Sequence, residues 1–350
     1  GRLYNDKTPN GRAAKERVKK KMKDKFNVKY GDPRTSSADG KEDVFLGANR
    51  SQLAEGVVKV YAEKYIKQMV GRYIEKGMDG LTKYPSLWSH TPASKELEEE
   101  FNRAVAQRQP ASRDLEKKYG SLFGSLLHAG KFRPEILAAL GMCGSCLTVP
   151  TEGLYQCMMR VLVYLGRSFK MGATYSKNVT DASQLSAYAD SNWSETRSTT
   201  GFCLMLGGGA ISCVSRRQHC ITMSSCEAEL VALADRSIEL LHMLALLEWI
   251  GFVQNGPVDA ATDNKGAYDL CHRFTSAQNS RHVDRKMFKM RELRGLGVVT
   301  VRHVPTADNP ADIFTKILNR EPFEKHRRFI LNTHADDSSS RDSSNRSSAP

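Results

Sequence analysis

The chain has 350 residues, 40% of them hydrophobic, with 52 Lys and Arg against 39 Asp and Glu, a net charge of +13. This length can hold two domains and a real core, and no run of some eighteen apolar residues exists to cross a membrane. The positive charge favours a polyanionic partner, of which nucleic acid is the commonest, and Gly1 to Lys25 is polar and basic rather than a secretory signal.

The eight Cys residues are scattered, which predicts reduced thiols rather than a disulfide framework. The chain begins at Gly1 rather than Met, as a segment of a longer protein would. Lys15 to Lys25 holds seven Lys or Arg in eleven residues and reads as a solvated helix face or a phosphate-binding arm. Tyr30 to Lys41 is a loop by its Gly, Pro, Ser and Asp content, and Val44 to Gly47 a short strand. Helical spacing of Val57, Val60, Tyr61, Tyr65, Met69 and Tyr73 predicts a helix over Val57 to Glu75. Gly77 to Ala93 is turn-rich, and Ser94 to Arg108 is either a charged helix or a disordered run. Leu115 to Leu127 and Arg133 to Leu140 read as helices, and Thr151 as the N-cap of an amphipathic helix reaching Leu165. Cys143 and Cys146 lack a second ligand pair for zinc and a preceding strand for a redox motif, so both read as structural.

From Ser183 the pattern turns strand-rich. Gln184 to Ala189 alternates and delivers Asp190 at a strand end, and two strands flank the hairpin signal Gly207-Gly-Gly209. A long helix runs from Ser224 to Gly251, with Ser224 or Ser225 as cap and Glu227 in its first turn. Val258 to Thr262 is a strand ending at Asp263, followed by helices over Asp263 to Cys271 and Val283 to Leu296. Val298 to Val304 is an alternating strand, Asn309 to Thr315 opens a helix, and Glu321 to Leu331 continues it or forms another. Ala335 to Pro350 has seven Ser and no large apolar residue, a disordered composition.

Strands and helices in that order predict an α/β fold, a mixed sheet with helices on its faces. Ligand sites in such sheets gather at strand ends, so Asp190, Glu229, Asp263 and Asp312 are placed to converge. Four carboxylates together repel unless one takes a proton or a cation intervenes. Mg²⁺ prefers hard oxygen ligands, and two such ions stabilise the attacking and leaving oxygens of a phosphodiester cleavage.

The stretches Y-A-D-S-N-W (188–193), R-S-T-T-G-F (197–202), L-G-G-G-A-I-S (206–212), S-S-C-E-A-E-L (224–230), T-D-N-K-G-A (262–267), R-H-V-D-R-K (281–286) and N-P-A-D-I-F-T-K (309–316) resemble the ribonuclease H domain of copia-type LTR-retrotransposon Pol polyproteins. Upstream, Y-G-S-L-F-G-S-L-L (119–127), R-P-E-I (133–136), V-P-T (149–151) and R-V-L-V-Y-L-G (160–166) are similar to the family's connection between reverse transcriptase and ribonuclease H. F-L-G (45–47) and Y-I-K-Q-M (65–69) resemble the end of its reverse transcriptase. The resemblance implies a ribonuclease H-like mixed five-stranded sheet flanked by helices, preceded by a mostly helical reverse-transcriptase connection or thumb remnant. It divides the chain into residues 1–180 for the remnant, 181–333 for ribonuclease H and 334–350 for the Ser-rich tail.

The family's catalytic and metal-binding carboxylates carry over to Asp190, Asp263 and Asp312, and to Glu229, with Glu227 as the alternative glutamate. The resemblance implies two Mg²⁺ ions, with Mn²⁺ as a substitute, an RNA–DNA hybrid and the rest of the Pol polyprotein as partners, and an intracellular setting, either a cytoplasmic virus-like particle or the nucleus. Two departures stand out: Asn192 replaces the second acidic residue of the usual D-A-D-W, and the polymerase signature Y-x-D-D is absent. The first half therefore reads as a scaffold without chemistry of its own. Asp284 reads as a salt-bridge partner and His303 as an exposed strand-end histidine. Arg216, Arg217, His219, Lys265, Arg285, Lys286 and Lys289 are the basic residues nearest the carboxylates; as a group they would track a phosphate backbone. The expected activity is cleavage of the RNA strand of a hybrid, and the alternative is a nucleic-acid-binding remnant that no longer cuts.

Overall fold

A computed structural model describes residues 9–25, 43–45, 47–87, 89–272 and 281–333. The loop expected at Tyr30 to Lys41 and the Ser-rich tail lie outside the described residues. Helix α1 (Pro9–Lys25) carries the basic run, and Lys21 Nζ donates to the Trp249 carbonyl at 3.0 Å.

Four strands follow in one antiparallel sheet of order β1-β2-β3-β4: β1 (Asp43–Phe45), β2 (Ala48–Ala54), β3 (Val57–Tyr61) and, far along the chain, β4 (Gly172–Ser176). Val57 to Glu75 is thus not one helix. Its first five residues are β-branched or aromatic apart from Lys59, and they pair with β2 on one side and β4 on the other. Only Glu63–Tyr73 is helical (α2), burying Ile66, Met69 and Val70. Local spacing fitted a helix, and pairing on both sides of the strand overrode it.

Short α3 (Gly77–Gly80) leads to α4 (Lys95–Gln107), α5 (Arg113–Gly130), α6 (Leu137–Ser145) and α7 (Glu152–Arg167). Thr151 caps α7 as expected, its Oγ1 accepting from the Leu154 N–H at 3.1 Å. Cys143 and Cys146 are buried free thiols, and burial pushes the Cys143 thiol up to about 12, which keeps it protonated and inert.

The second sheet has five strands: β5 (Ser186–Asn192), β6 (Thr199–Leu206), β7 (Gly209–Arg217), β8 (Val258–Thr262) and β9 (Val299–His303). Its order is β7-β6-β5-β8-β9; β5, β6 and β7 run antiparallel, while β8 runs parallel to β5 and β9 parallel to β8. Gly207 (φ 62°) and Gly208 (φ 84°) make the tight β6–β7 turn, where left-handed φ at both positions matches strand twist. Helices α8 (Ser225–Trp249), α9 (Lys265–His272), α10 (Arg281–Gly295) and α11 (Arg320–Leu331) complete the unit. This is the mixed five-stranded sheet with flanking helices that the sequence resemblance implies.

Alternation sends successive β6 residues to opposite faces. Phe202 and Leu204 join Ala187, Ala189 and Ala260 against Leu230, Leu233 and Leu240 of α8. The small alanines let that helix lie close to the sheet. Cys203 and Met205 face the other way, into one apolar cluster with Tyr119, Leu122 and Leu126 of α5, Leu140 of α6, Leu162 of α7 and Phe314, Ile330 and Leu331. The first half therefore forms a wall of the second half's core. Each large side chain buried there is worth about 1.5–3 kcal/mol. A fragment of residues 181–333 should consequently lose cooperative thermal unfolding and expose apolar surface to a fluorescent dye; a fragment that melts as sharply as the full chain would contradict this packing.

Candidate active site

Asp190 lies near the end of central strand β5, opposite Gly201 of β6. A Cβ at Gly201 would come within 2.6 Å of Thr315 Cγ2 and 2.8 Å of Phe314 Cβ, so glycine is what lets the segment after β9 reach the sheet. That segment is not the α-helix expected from Asn309 to Thr315 but a 3₁₀ turn, Pro310–Phe314. Asn309 ends in a fully buried side chain that holds three things at once. Its Nδ2 donates to the Ala189 carbonyl (3.0 Å) and to Asp263 Oδ1 (3.2 Å), and its Oδ1 accepts from the Ala311 N–H (3.2 Å). The clip fixes the turn carrying Asp312 against the ends of β5 and β8.

In this way Asp190, Asp263 and Asp312, from three separate elements, bring carboxylate oxygens within 4.8 Å of one another. Glu229 joins them from α8, on the other side of β5. Its Oε1 accepts from the Ser191 N–H (2.8 Å) and Ser191 Oγ (3.0 Å), and its Oε2 from Thr262 Oγ1 (3.3 Å). Glu227, the alternative, is turned back to the helix start: it accepts from the Met223 N–H at 2.7 Å, while Ser224 Oγ caps the Glu227 N–H at 3.2 Å. Geometry therefore turns Glu229, not Glu227, toward the ends of β5 and β8 beside Asp190, while the oxygens that meet within 4.8 Å are those of the three aspartates alone among the described residues.

Asp190, Glu229 and Asp312 are 2%, 4% and 7% exposed. Burial, then the neighbouring Asp312 charge, raises the Asp190 carboxyl to about 6. Burial, then the Asp190 charge, raises Glu229 to about 9 against the pull of the Ser191 donors. Asp312 is raised by burial as well. The segment 315–316 offsets part of this charge. Thr315 Oγ1 donates to Asp190 Oδ2, and Lys316 Nζ lies 2.9 Å from Asp312 Oδ1 and 3.5 Å from Asp190 Oδ2. Burial alone would depress the Lys316 ammonium, but the Asp190 and Asp312 charges more than compensate and hold it above its ordinary value. Hard oxygen donors on three elements, with a cation already drawn among them, fit a divalent metal of the Mg²⁺ kind.

The remaining candidates are scattered more widely. His303 is exposed, with Nε2 3.0 Å from the Asp263 carbonyl oxygen. Arg216 and Arg217 are adjacent on β7 and point to opposite faces. Arg216 pairs with Asp235 of α8 at 2.9 Å, while Arg217 stacks over Phe101 of α4 and donates to Thr196 Oγ1 and the Arg197 carbonyl. Exposed Lys265 pairs with Asp269 (3.5 Å) and lies over the Tyr268 ring, and Lys289 pairs with Glu292 (3.0 Å). Such surface pairs are weak and readily exchanged for phosphate. The side chains of Asp284, Arg285 and Lys286 lie outside the described residues. His219 is exposed beyond β7.

Within N-P-A-D-I-F-T-K the local sequence pattern points only to Asp312. It missed Asn309, Thr315 and Lys316, and missed Ser191 beside Asp190. The i,i+4 spacing of Asp312 and Lys316 was the available signal.

No family model matches the chain. It is 31% identical over 217 residues to the retrovirus-related Pol polyprotein from transposon RE2 of Arabidopsis thaliana, a match covering 61% of this chain and 15% of that polyprotein. It is 28% identical over 280 residues to the retrovirus-related Pol polyprotein from transposon TNT 1-94 of Nicotiana tabacum, covering 77% of this chain and 20% of that one. The chain thus spans a fifth or less of the length of these relatives. Among solved structures, LC11-RNase H1 isolated from compost aligns with 41% of this chain and 97% of its own, at 17% identity and a TM-score of 0.31. No helix among the described residues is long and apolar enough to cross a membrane.

The raised carboxylates set a pH signature for the metal-free protein. A carboxyl whose folded pKa lies above its unfolded value stabilises the fold below the unfolded pKa, and that contribution is lost as pH rises through the folded value. For Glu229 the loss runs from about 4 to about 9. In EDTA, stability should therefore fall between about pH 6.5 and 8.5, by at most about 3 kcal/mol from this group. Denaturant titrations of the wild type and Glu229→Gln check it: the fall should flatten in the variant, and equal slopes would refute the assignment.

Proposed function

We propose that this chain, which belongs by its homologues to the retrovirus-related Pol polyproteins of copia-type transposons, cuts the RNA strand of RNA–DNA hybrids by metal-dependent hydrolysis. The observation that carries this reading is the meeting of Asp190, Asp263 and Asp312 within 4.8 Å at one end of the mixed sheet, with Glu229 held beside them. A ribonuclease H-type hydrolysis accounts for both the sheet and that donor set.

In this reading Asp190, Asp263 and Asp312 hold Mg²⁺, and Glu229 supplies a fourth carboxylate from the α8 side. Bound divalent ions would supply Lewis-acid stabilisation of the attacking and leaving oxygens in hydrolysis to a 3′-hydroxyl and a 5′-phosphate. Ser191 and Thr262 orient Glu229, whose carboxyl is held well above its ordinary range by burial and by the Asp190 charge. Asn309 sets Asp263 relative to Asp190, so the donors are fixed before substrate arrives. The ribose 2′-hydroxyl marks the strand to be cut. Arg216, Arg217, Lys265 and Lys289, with Arg285 and Lys286, contribute charge that attracts the duplex without reading its sequence.

The test is cleavage of a labelled hybrid in Mg²⁺, with EDTA and with the variants Asp190→Asn and Asp263→Asn. Each variant should keep a wild-type circular dichroism spectrum and lose about 10³-fold in rate, the scale of several kcal/mol of lost charge stabilisation. Wild-type rates in either variant would remove that residue from the site. Tight hybrid binding by the wild type with no Mg²⁺-dependent cleavage would make the chain a binding remnant instead.

A further inference from the structure

Lys316 occupies an unusual place. Its ammonium is 2.9 Å from Asp312 Oδ1 and 3.5 Å from Asp190 Oδ2, so it bridges two of the three carboxylates that meet within 4.8 Å. Its side chain is only about one-third exposed. It follows Thr315, whose hydroxyl donates to the same Asp190 oxygen, so the 3₁₀ turn and its exit aim both groups at the cluster. A Mg²⁺ ion held by those carboxylates needs their oxygens at about 2.0–2.1 Å in near-octahedral geometry. An ammonium already in contact with the same oxygens fills part of that space, and two cations at such separations repel.

We propose that Lys316 is a resident counter-cation that competes with the divalent metal for Asp190 and Asp312. It neutralises the cluster while metal is absent and must swing out when metal enters. The inference rests on the cluster being a divalent-cation site, and it makes Lys316 a positioning residue that sets metal affinity rather than a catalytic one. The mobile four-carbon stem of lysine and the partial exposure of this side chain give it a way out toward solvent.

The test is Mn²⁺ binding, measured by isothermal titration calorimetry and by the loss of the free-ion electron paramagnetic resonance signal, without substrate. Lys316→Met and Lys316→Gln should bind Mn²⁺ about tenfold more tightly than the wild type, the scale of the two partly exposed ion pairs that metal then no longer has to break. Both should melt at lower temperature in EDTA and gain more from added Mn²⁺ than the wild type does. Lys316→Arg, which keeps the charge, should stay near wild-type affinity. Equal affinity in all four proteins overturns the inference, as does a gain in Lys316→Arg equal to that in Lys316→Met. Failure of both neutral variants to fold even with Mn²⁺ also overturns it, because the ion would then be unable to take the place of Lys316. A wild type that binds no Mn²⁺, with Asp263→Asn indistinguishable from it, instead refutes the metal-site reading beneath the proposal.

Discussion

Mutual repulsion among buried carboxylates is the constraint around which this end of the molecule is built. Asp190, Asp312 and Glu229 are all nearly excluded from water, and Asp263 stands with them. Left alone, such a group would protonate or force its elements apart. The chain answers with hydroxyl and amide donors and one ammonium: Ser191 and Thr262 on Glu229, Thr315 on Asp190, Asn309 on Asp263 and Lys316 across Asp312 and Asp190. One ammonium against these carboxylates leaves a deficit of positive charge that a bound divalent ion would make good.

That electrostatic arrangement needs a stiff mount. Parallel pairing of β5 with β8, whose register runs to Tyr188 opposite Ala261, brings Asp190 and Asp263 two residues further on to neighbouring strand ends. The α8 face brings Glu229 from one side of β5, and the opposite face receives the Pro310–Phe314 turn, seated over Gly201. Helices α5, α6 and α7 back that second face through a shared apolar cluster, so the position of Asp312 depends on residues nearly two hundred positions earlier. Truncating the first half would reach the site through packing, without removing any residue of the site.

Much of this was legible in the sequence. The strands around Gly207-Gly-Gly209, the Val258 to Thr262 strand, the Thr151 and Ser224 caps and the convergence of Asp190, Asp263 and Asp312 all follow from local pattern and chain order. The misreadings share a cause, since each depended on a partner distant in sequence. Val57 to Tyr61 became a strand because β4, over a hundred residues away, pairs with it. Asn309 to Thr315 tightened into a 3₁₀ turn because Asn309 is bonded to β5 and Asp263. Where Arg216 and Arg217 point was not legible either, since strand alternation sends one to Asp235 and the other to Phe101. Lys316 follows a stretch that reads as helix, and only the folded turn aims its ammonium at Asp190 and Asp312.

Anomalous diffraction from crystals soaked in Mn²⁺ tests the central claim most directly, because it locates the ion without relying on turnover. The account predicts a peak coordinated by Asp190, Asp263 and Asp312, with the Lys316 ammonium displaced from them. Saturating Mn²⁺ with no peak among these carboxylates, or with peaks only at other acidic residues, would contradict it.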